Sequence, residues 1–95
     1  IVIIDVRKEA EYDEAHVKDA LNIPLTDLTD PASMANLDDH HNIYVHCAGG
    51  YRSVIALSLL KREGFHNLRN VVGGFGLIKE LGDKIEIEKT EAALN

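Results

Sequence analysis

The segment Ile43-Tyr44-Val45-His46-Cys47-Ala48-Gly49-Gly50-Tyr51-Arg52-Ser53 holds the only cysteine of the chain. Ile43–His46 reads as a short strand, and Cys47–Tyr51 as a glycine-containing loop. Arg52–Glu63 is the strongest helix pattern in the sequence. Val54, Ile55, Leu57, Leu59 and Leu60 are its apolar residues, Lys61 and Arg62 sit in its last turn, and Gly64 supplies a C-cap. The cysteine therefore stands at the carboxyl end of a strand, directly before a helix. In open α/β sheets that crevice is where ligands bind.

The flanking sequence extends the same alternation. Ile1–Ile4 is an apolar, β-branched run ending at Asp5, the pattern of a central strand buried on both faces. Lys8–Ala15 predicts a short polar helix and Ala20–Ile23 a second strand. Asp30-Pro31 predicts a helix start, with Asp30 as N-cap and the helix running to Leu37. Asp38–Asn42 is a polar turn. Leu68–Val72 predicts a fourth strand, Gly73-Gly74 a turn, and Phe75–Leu81 a helix closed by Gly82. The charged tail from Asp83 is ambiguous. Alternating strands and helices argue for an α/β fold with a mostly parallel sheet covered on both faces.

Composition bounds the class. The 95 residues are 45% hydrophobic and 27% charged, which suits one globular domain. A net charge of −6 with no basic cluster argues against nucleic acid as partner. No apolar run approaches the roughly 20 residues of a membrane span, so no membrane partner is expected. One cysteine excludes an internal disulfide and any site built from several thiolates, such as a zinc ribbon or an iron–sulfur cluster. No metal or cofactor is expected. A lone thiol suits a reducing compartment such as the cytoplasm. The abrupt start at Ile1 suggests a domain cut from something longer.

The loop favours a thiolate. Successive amides can form an anion nest, and a helix N-terminus adds partial positive charge. Gly49 and Gly50 permit the curvature, and Arg52 adds a permanent charge. A thiolate is the nucleophilic form of cysteine. The plainer reading is a buried structural thiol, a common fate of cysteine.

Four motifs in order carry a family resemblance. They are Asp5-Val6-Arg7; Glu11-Tyr12 with His16-Val17 and Ala20-Leu21-Asn22-Ile23-Pro24; Cys47 to Ser53; and Val72-Gly73-Gly74-Phe75. Over residues 1 to about 82 the chain resembles rhodanese-like domains. The resemblance implies a three-layer α/β/α fold, here lacking the family's N-terminal edge strand, with 1–95 as one domain. It also implies a sulfurtransferase. Cys47 would take sulfur from a small anionic donor such as thiosulfate and pass it, through a persulfide, to cyanide or a thiol acceptor. Cys47 and Arg52 would be catalytic. Ala48, Gly49, Gly50, Tyr51 and Ser53 would form the substrate cradle. Asp5 and Arg7, at a strand end near the carboxyl edge of the sheet, read from their position as a charge pair that either supports the loop or serves the fold alone.

In this superfamily a loop of six residues, as from Cys47 to Arg52, goes with sulfur transfer. Related phosphatases and arsenate reductases carry one residue more, which makes oxyanion chemistry the alternative enzyme reading. A non-catalytic relay or partner-binding domain is the alternative of another class. The wording from His46 to Ser53 is similar to rhodanese domains attached to metallo-β-lactamase-fold enzymes of persulfide metabolism, which suggests a fused or associated enzyme. Ala15 replaces the family's usual glycine, and Ile78 stands where a tryptophan is frequent. His46 reads as a packed histidine under the loop, His16 as a tie between helix and following strand, and His40 and His41 as solvated.

Overall fold

The computed structural model describes residues 1–35, 37–49, 51–80 and 86–89. The expected roles of Gly50 and Gly82 lie outside these residues, as does most of the charged tail. Four strands form the central sheet: β1 (Val2–Asp5), β3 (Leu21–Asn22), β4 (Ile43–His46) and β5 (Leu68–Asn70), in the order β3-β1-β4-β5. Every neighbouring pair is parallel, with Val2 opposite Ile43 and Ile43 opposite Leu68. Ile4, Val6, Ile43 and Val45 are almost wholly buried, which is why β1 and β4 read as unbroken apolar runs.

The helices are α1 (Glu9–Glu14), α2 (Pro31–Met34), α3 (Tyr51–Arg62) and α4 (Gly74–Glu80), with a 3-10 turn at Leu25–Asp27. Asp30 caps α2 as expected, its carboxylate accepting from Ala32 N at 3.0 Å. The helix is shorter than predicted, and Asn36 lies outside the described residues. On α3 the buried stripe is Ser53, Ala56 and Leu60, while Val54 and Ile55 face outward. Small side chains at its start let this helix approach the sheet beside the loop. Its end is a Schellman motif: Phe65 N donates to Leu60 O at 3.2 Å and Gly64 N to Lys61 O at 3.1 Å. Gly64 takes φ +100°, where glycine carries no Cβ penalty.

Two apolar cores flank the sheet. Ile4, Leu28, Val45, Cys47, Ala56 and Leu60 belong to one. The other holds Val17, Ala20, Phe75 and Ile78, so Ile78 fills its share of the layer where a tryptophan would be bulkier.

One feature departs from expectation. Ala15 caps α1, its N–H donating to Glu11 O, and at once begins β2 (Ala15–Val17), which pairs antiparallel with β6 (Ile87–Lys89) in a separate ribbon. Lys18 N extends the pairing to Glu86 O at 2.9 Å. Among the described residues no helix is long and apolar enough to cross a membrane.

Candidate active site

Cys47 follows the last residue of β4 at the carboxyl edge of the sheet, and α3 begins four residues later. Its side chain is buried, at 1% exposure, in the core that contains Val45 and Ala56. The loop is fastened from the α4 side. Phe75 N donates to Cys47 O at 2.6 Å, and Gly76 N donates to Ala48 O at 3.2 Å. His46 Nδ1 lies 3.3 Å from the same Cys47 carbonyl. In a trans peptide the N–H points opposite to the C=O, and the described residues contain no cis bond. The N–H groups of Ala48 and Gly49 therefore point away from α4.

Gly74 makes this docking possible. It adopts φ +59°, and a Cβ there would collide with the carbonyl oxygens of Cys47 and Ala48. Backbone cannot yield as a flexible side chain does. Gly74→Ala is expected to destabilise the domain by about 2 kcal/mol or more, combining left-handed strain with overpacking. Urea unfolding checks this, and an unchanged midpoint would show that the loop and α4 do not touch in solution.

Below the loop lies a buried charge pair. Arg7 donates to Asp5 through Nε (3.0 and 3.1 Å) and Nη2 (2.8 Å), and through its backbone N–H (3.0 Å). Asp5 is fully buried and Arg7 nearly so. The remaining surroundings of Arg7 also fit a guanidinium: Nη2 reaches Ala15 O at 2.8 Å, and the cation sits 4.0 Å from the centroid of the Phe75 ring. Asn22 Nδ2 ties the backbone, donating to Asp5 O and Arg7 O, both at 3.0 Å.

Arg52 turns toward α1. Its Nη1 and Nη2 donate to the two Glu11 oxygens at 2.8 and 3.2 Å. That bond holds Glu11 down at about 2, and the same contact raises Arg52. The charge of Cys47 also contributes to raising Arg52. Ser53, fully buried, donates from Oγ to Asn70 Oδ1 at 2.6 Å, joining the start of α3 to β5. Tyr51 is 81% exposed at the rim of the loop. The structure thus brings Cys47, Ala48, Gly49, Tyr51, Arg52 and Ser53 into one segment with Asp5 and Arg7 beneath it. Glu11 belongs to a motif, but its pairing with Arg52 has no signal in the sequence, and Asn70, the partner of Ser53, has none at all. His16 packs its ring on Tyr12 at 3.7 Å, with Nδ1 2.8 Å from Tyr12 O, while Tyr12 Oη donates to Ala20 O at 2.6 Å.

His46 is buried completely. Its Nε2 has no hydrogen-bond partner among the described residues and lies 3.8 Å from Asp5 Oδ2. Burial lowers its pKa below the ordinary 6.5, outweighing the pull of Asp5, so the ring is neutral near pH 7. The pH dependence follows. Well above pH 6.5 neither folded nor unfolded His46 binds a proton. As pH falls below 6.5 the unfolded chain protonates first, so stability is lost until the folded ring also titrates. A second loss follows from pH 4.5 down to about 2, where the unfolded carboxyl of Glu11 binds a proton that the folded one refuses. This pair is partly exposed and contributes about 1 kcal/mol or less. Melting temperatures between pH 8 and 5 should fall with acidification, and His46→Gln should flatten that limb without touching the lower one.

An exposed turn gathers Asp38, Asp39 and His40 with ligand-type atoms within 4.8 Å of one another. Asp38 Oδ1 there accepts from His40 N at 2.8 Å, which is ordinary turn chemistry.

A parallel α/β sheet with a cysteine loop between the end of a central strand and the following helix defines the class. The family match is direct: residues 1–81 match the rhodanese-like domain, and the chain belongs to that family. The chain is 39% identical over 72 residues to the putative sulfur carrier protein YrkF of Bacillus subtilis, covering 76% of this chain and 38% of that protein. It is 33% identical over 70 residues to the thiosulfate sulfurtransferase PspE of Escherichia coli, covering 74% of this chain and 67% of that protein. Among solved structures it resembles the rhodanese-like domain of the Alr3790 protein from Anabaena, with TM-score 0.83 and 33% identity, covering 93% of this chain and 98% of that one. The chain thus spans well under half of the sulfur carrier it matches.

Proposed function

We propose that the domain transfers sulfane sulfur through a persulfide on Cys47. The observation that carries this reading is the placement of the only thiol at a strand end, in a loop whose carbonyls are tied to α4. That tie directs the Ala48 and Gly49 amides to the opposite side, where they are available to an anion carried on Cys47. Arg52, fixed by Glu11, keeps a permanent positive charge at the start of α3. The thiolate attacks the outer sulfur of a donor such as thiosulfate. The sulfur–sulfur bond of the donor breaks, sulfite leaves with the electron pair, and Cys47 carries the persulfide. An acceptor thiolate or cyanide then removes the outer sulfur and returns the Cys47 thiolate. Kinship with a protein named as a sulfur carrier and another named as a thiosulfate sulfurtransferase supports both halves of the cycle. The longer relative also supports a relay setting, with the acceptor presented by a fused or associated enzyme.

Intact-protein mass after incubation with thiosulfate tests the proposal. The expected result is gain of one sulfur atom, discharged as thiocyanate on adding cyanide. Folded, reduced protein that gains no sulfur from thiosulfate or from a polysulfide would overturn it.

A further inference from the structure

A cavity of about 590 Å³ opens between α1, α4 and β6. Small-molecule sites span roughly 300–1,000 Å³. Arg7 lines the cavity and is only 5% exposed. Its Nε and Nη2 are taken up by Asp5 and by the Ala15 carbonyl, but among the described residues Nη1 has no hydrogen-bond partner. Nor is Nη1 sealed in the interior. Among the described residues, His46 Nε2 is the one fully buried side-chain nitrogen or oxygen that lacks a partner. The small accessible part of Arg7 therefore includes Nη1, a charged donor open to the cavity. Asp5 holds the other side of the guanidinium, so Nη1 cannot swing away to find an acceptor. The acceptor has to enter.

The walls narrow what that acceptor is. Phe75 and Ile87 supply apolar surface. A second cation attends the same ring: Lys79 Nζ lies 6.0 Å from the Phe75 centroid, which the Arg7 guanidinium approaches at 4.0 Å. Asp5 balances the charge of Arg7, whereas among the described residues exposed Lys79 closes no ion pair. Of the two acidic residues in the wall, Glu11 has its carboxylate bound by Arg52 and the Lys8 N–H, and Glu14 is exposed and screened by water. An inorganic oxyanion would find one free guanidinium nitrogen and leave most of its oxygens against apolar walls, which is costly. A carboxylate keeps its two oxygens at one end and can carry an apolar body. We propose that this cavity binds a small organic carboxylate, with its carboxylate on Arg7 Nη1 and its apolar body against Phe75 and Ile87. The cavity lies on the α4 side, away from the side to which the Ala48 and Gly49 amides point. Its ligand is therefore neither donor nor acceptor of the sulfur, and the site stands apart from the persulfide reading.

Removing Arg7 would break a buried ion pair and put the fold at risk, so the test reads the wild-type chain directly. Nitrogen-15-labelled protein is titrated with benzoate, acetate (no apolar body), benzyl alcohol (no carboxylate) and inorganic phosphate. Benzoate should shift the Arg7 side-chain N–H and the Phe75 and Ile87 amide resonances saturably. It should bind about tenfold more tightly than each of the other three, the scale of one charge-assisted contact or of one buried apolar face. Lys79→Met, at an exposed position, should keep the fold and weaken benzoate by about threefold, as the loss of one screened surface charge does. Resonances of Arg7 that benzoate leaves unmoved would show that Nη1 is satisfied by water and would overturn the site. Acetate or phosphate binding as tightly as benzoate would overturn the organic carboxylate as ligand. Shifts confined to Gly49 and Tyr51 would place the anion in the cysteine loop and leave the cavity empty-handed, refuting the proposal without touching sulfur transfer.

Discussion

Cys47→Ser is expected to abolish sulfur loading completely while leaving the domain folded. The chain has no second cysteine to take over, so no residual loading is expected from another thiol. Serine nearly matches cysteine in size, which matters at a side chain only 1% exposed. Placing a hydroxyl in that apolar core costs about 1–2 kcal/mol, enough to lower the melting temperature by a few degrees without unfolding the domain. Its oxygen forms no persulfide. Loading followed by intact mass, with circular dichroism as the control for folding, separates the two roles of this residue. A purely structural thiol would lose stability on substitution with no change in chemistry. A sulfur carrier loses the chemistry entirely. Sulfur gained by the folded serine variant would place the carrier elsewhere and remove Cys47 from the mechanism.

The largest stability effect is expected at Asp5. Asp5→Ala leaves the Arg7 guanidinium buried without its counterion and removes the acceptor of three side-chain contacts. Breaking a buried pair from one side costs about 3–5 kcal/mol, a large share of the roughly 5–15 kcal/mol that holds a small domain folded. Asp5→Asn keeps the shape and one acceptor oxygen, so it should unfold at a urea concentration between the wild type and the alanine variant. Equal midpoints for all three would show that Arg7 has found water or another partner. The pair also sets the height of the Phe75 ring, whose backbone holds the Cys47 carbonyl. Sulfur loading measured on Asp5→Asn should therefore slow even where the fold persists.

The sequence carried the central frame clearly, because strands buried on both faces leave unbroken apolar runs. Ile1–Ile4 and Ile43–His46 correspond closely to β1 and β4. Edges were less legible: β3 contracts to Leu21–Asn22 and β5 stops at Asn70. The β2–β6 ribbon was unreadable for a physical reason. Three-residue strands show no periodicity, and Ala15 pairs with Lys89 across most of the chain. The position of Cys47 and the Asp5–Arg7 pair were legible from the motifs. Glu11 as the clamp on Arg52 was not, because an acidic residue on a short polar helix looks like any solvated charge. Val54 and Ile55 misled in the other sense: apolar on the best helix, they face water. Identity alone does not tell which side of a helix meets the sheet when small residues make the contact.

The ribbon also fixes an order of assembly. During synthesis from the N-terminus, β1, β3, β4 and β5 all emerge before β6, so the parallel sheet and the Cys47 loop have their partners in hand first. Only when Ile87 leaves the ribosome does β2 gain its neighbour and the cavity beside Arg7 and Glu11 its outer wall. The Cys47 loop thus has its partners while the cavity lined by Arg7 and Glu11 still stands open on one side.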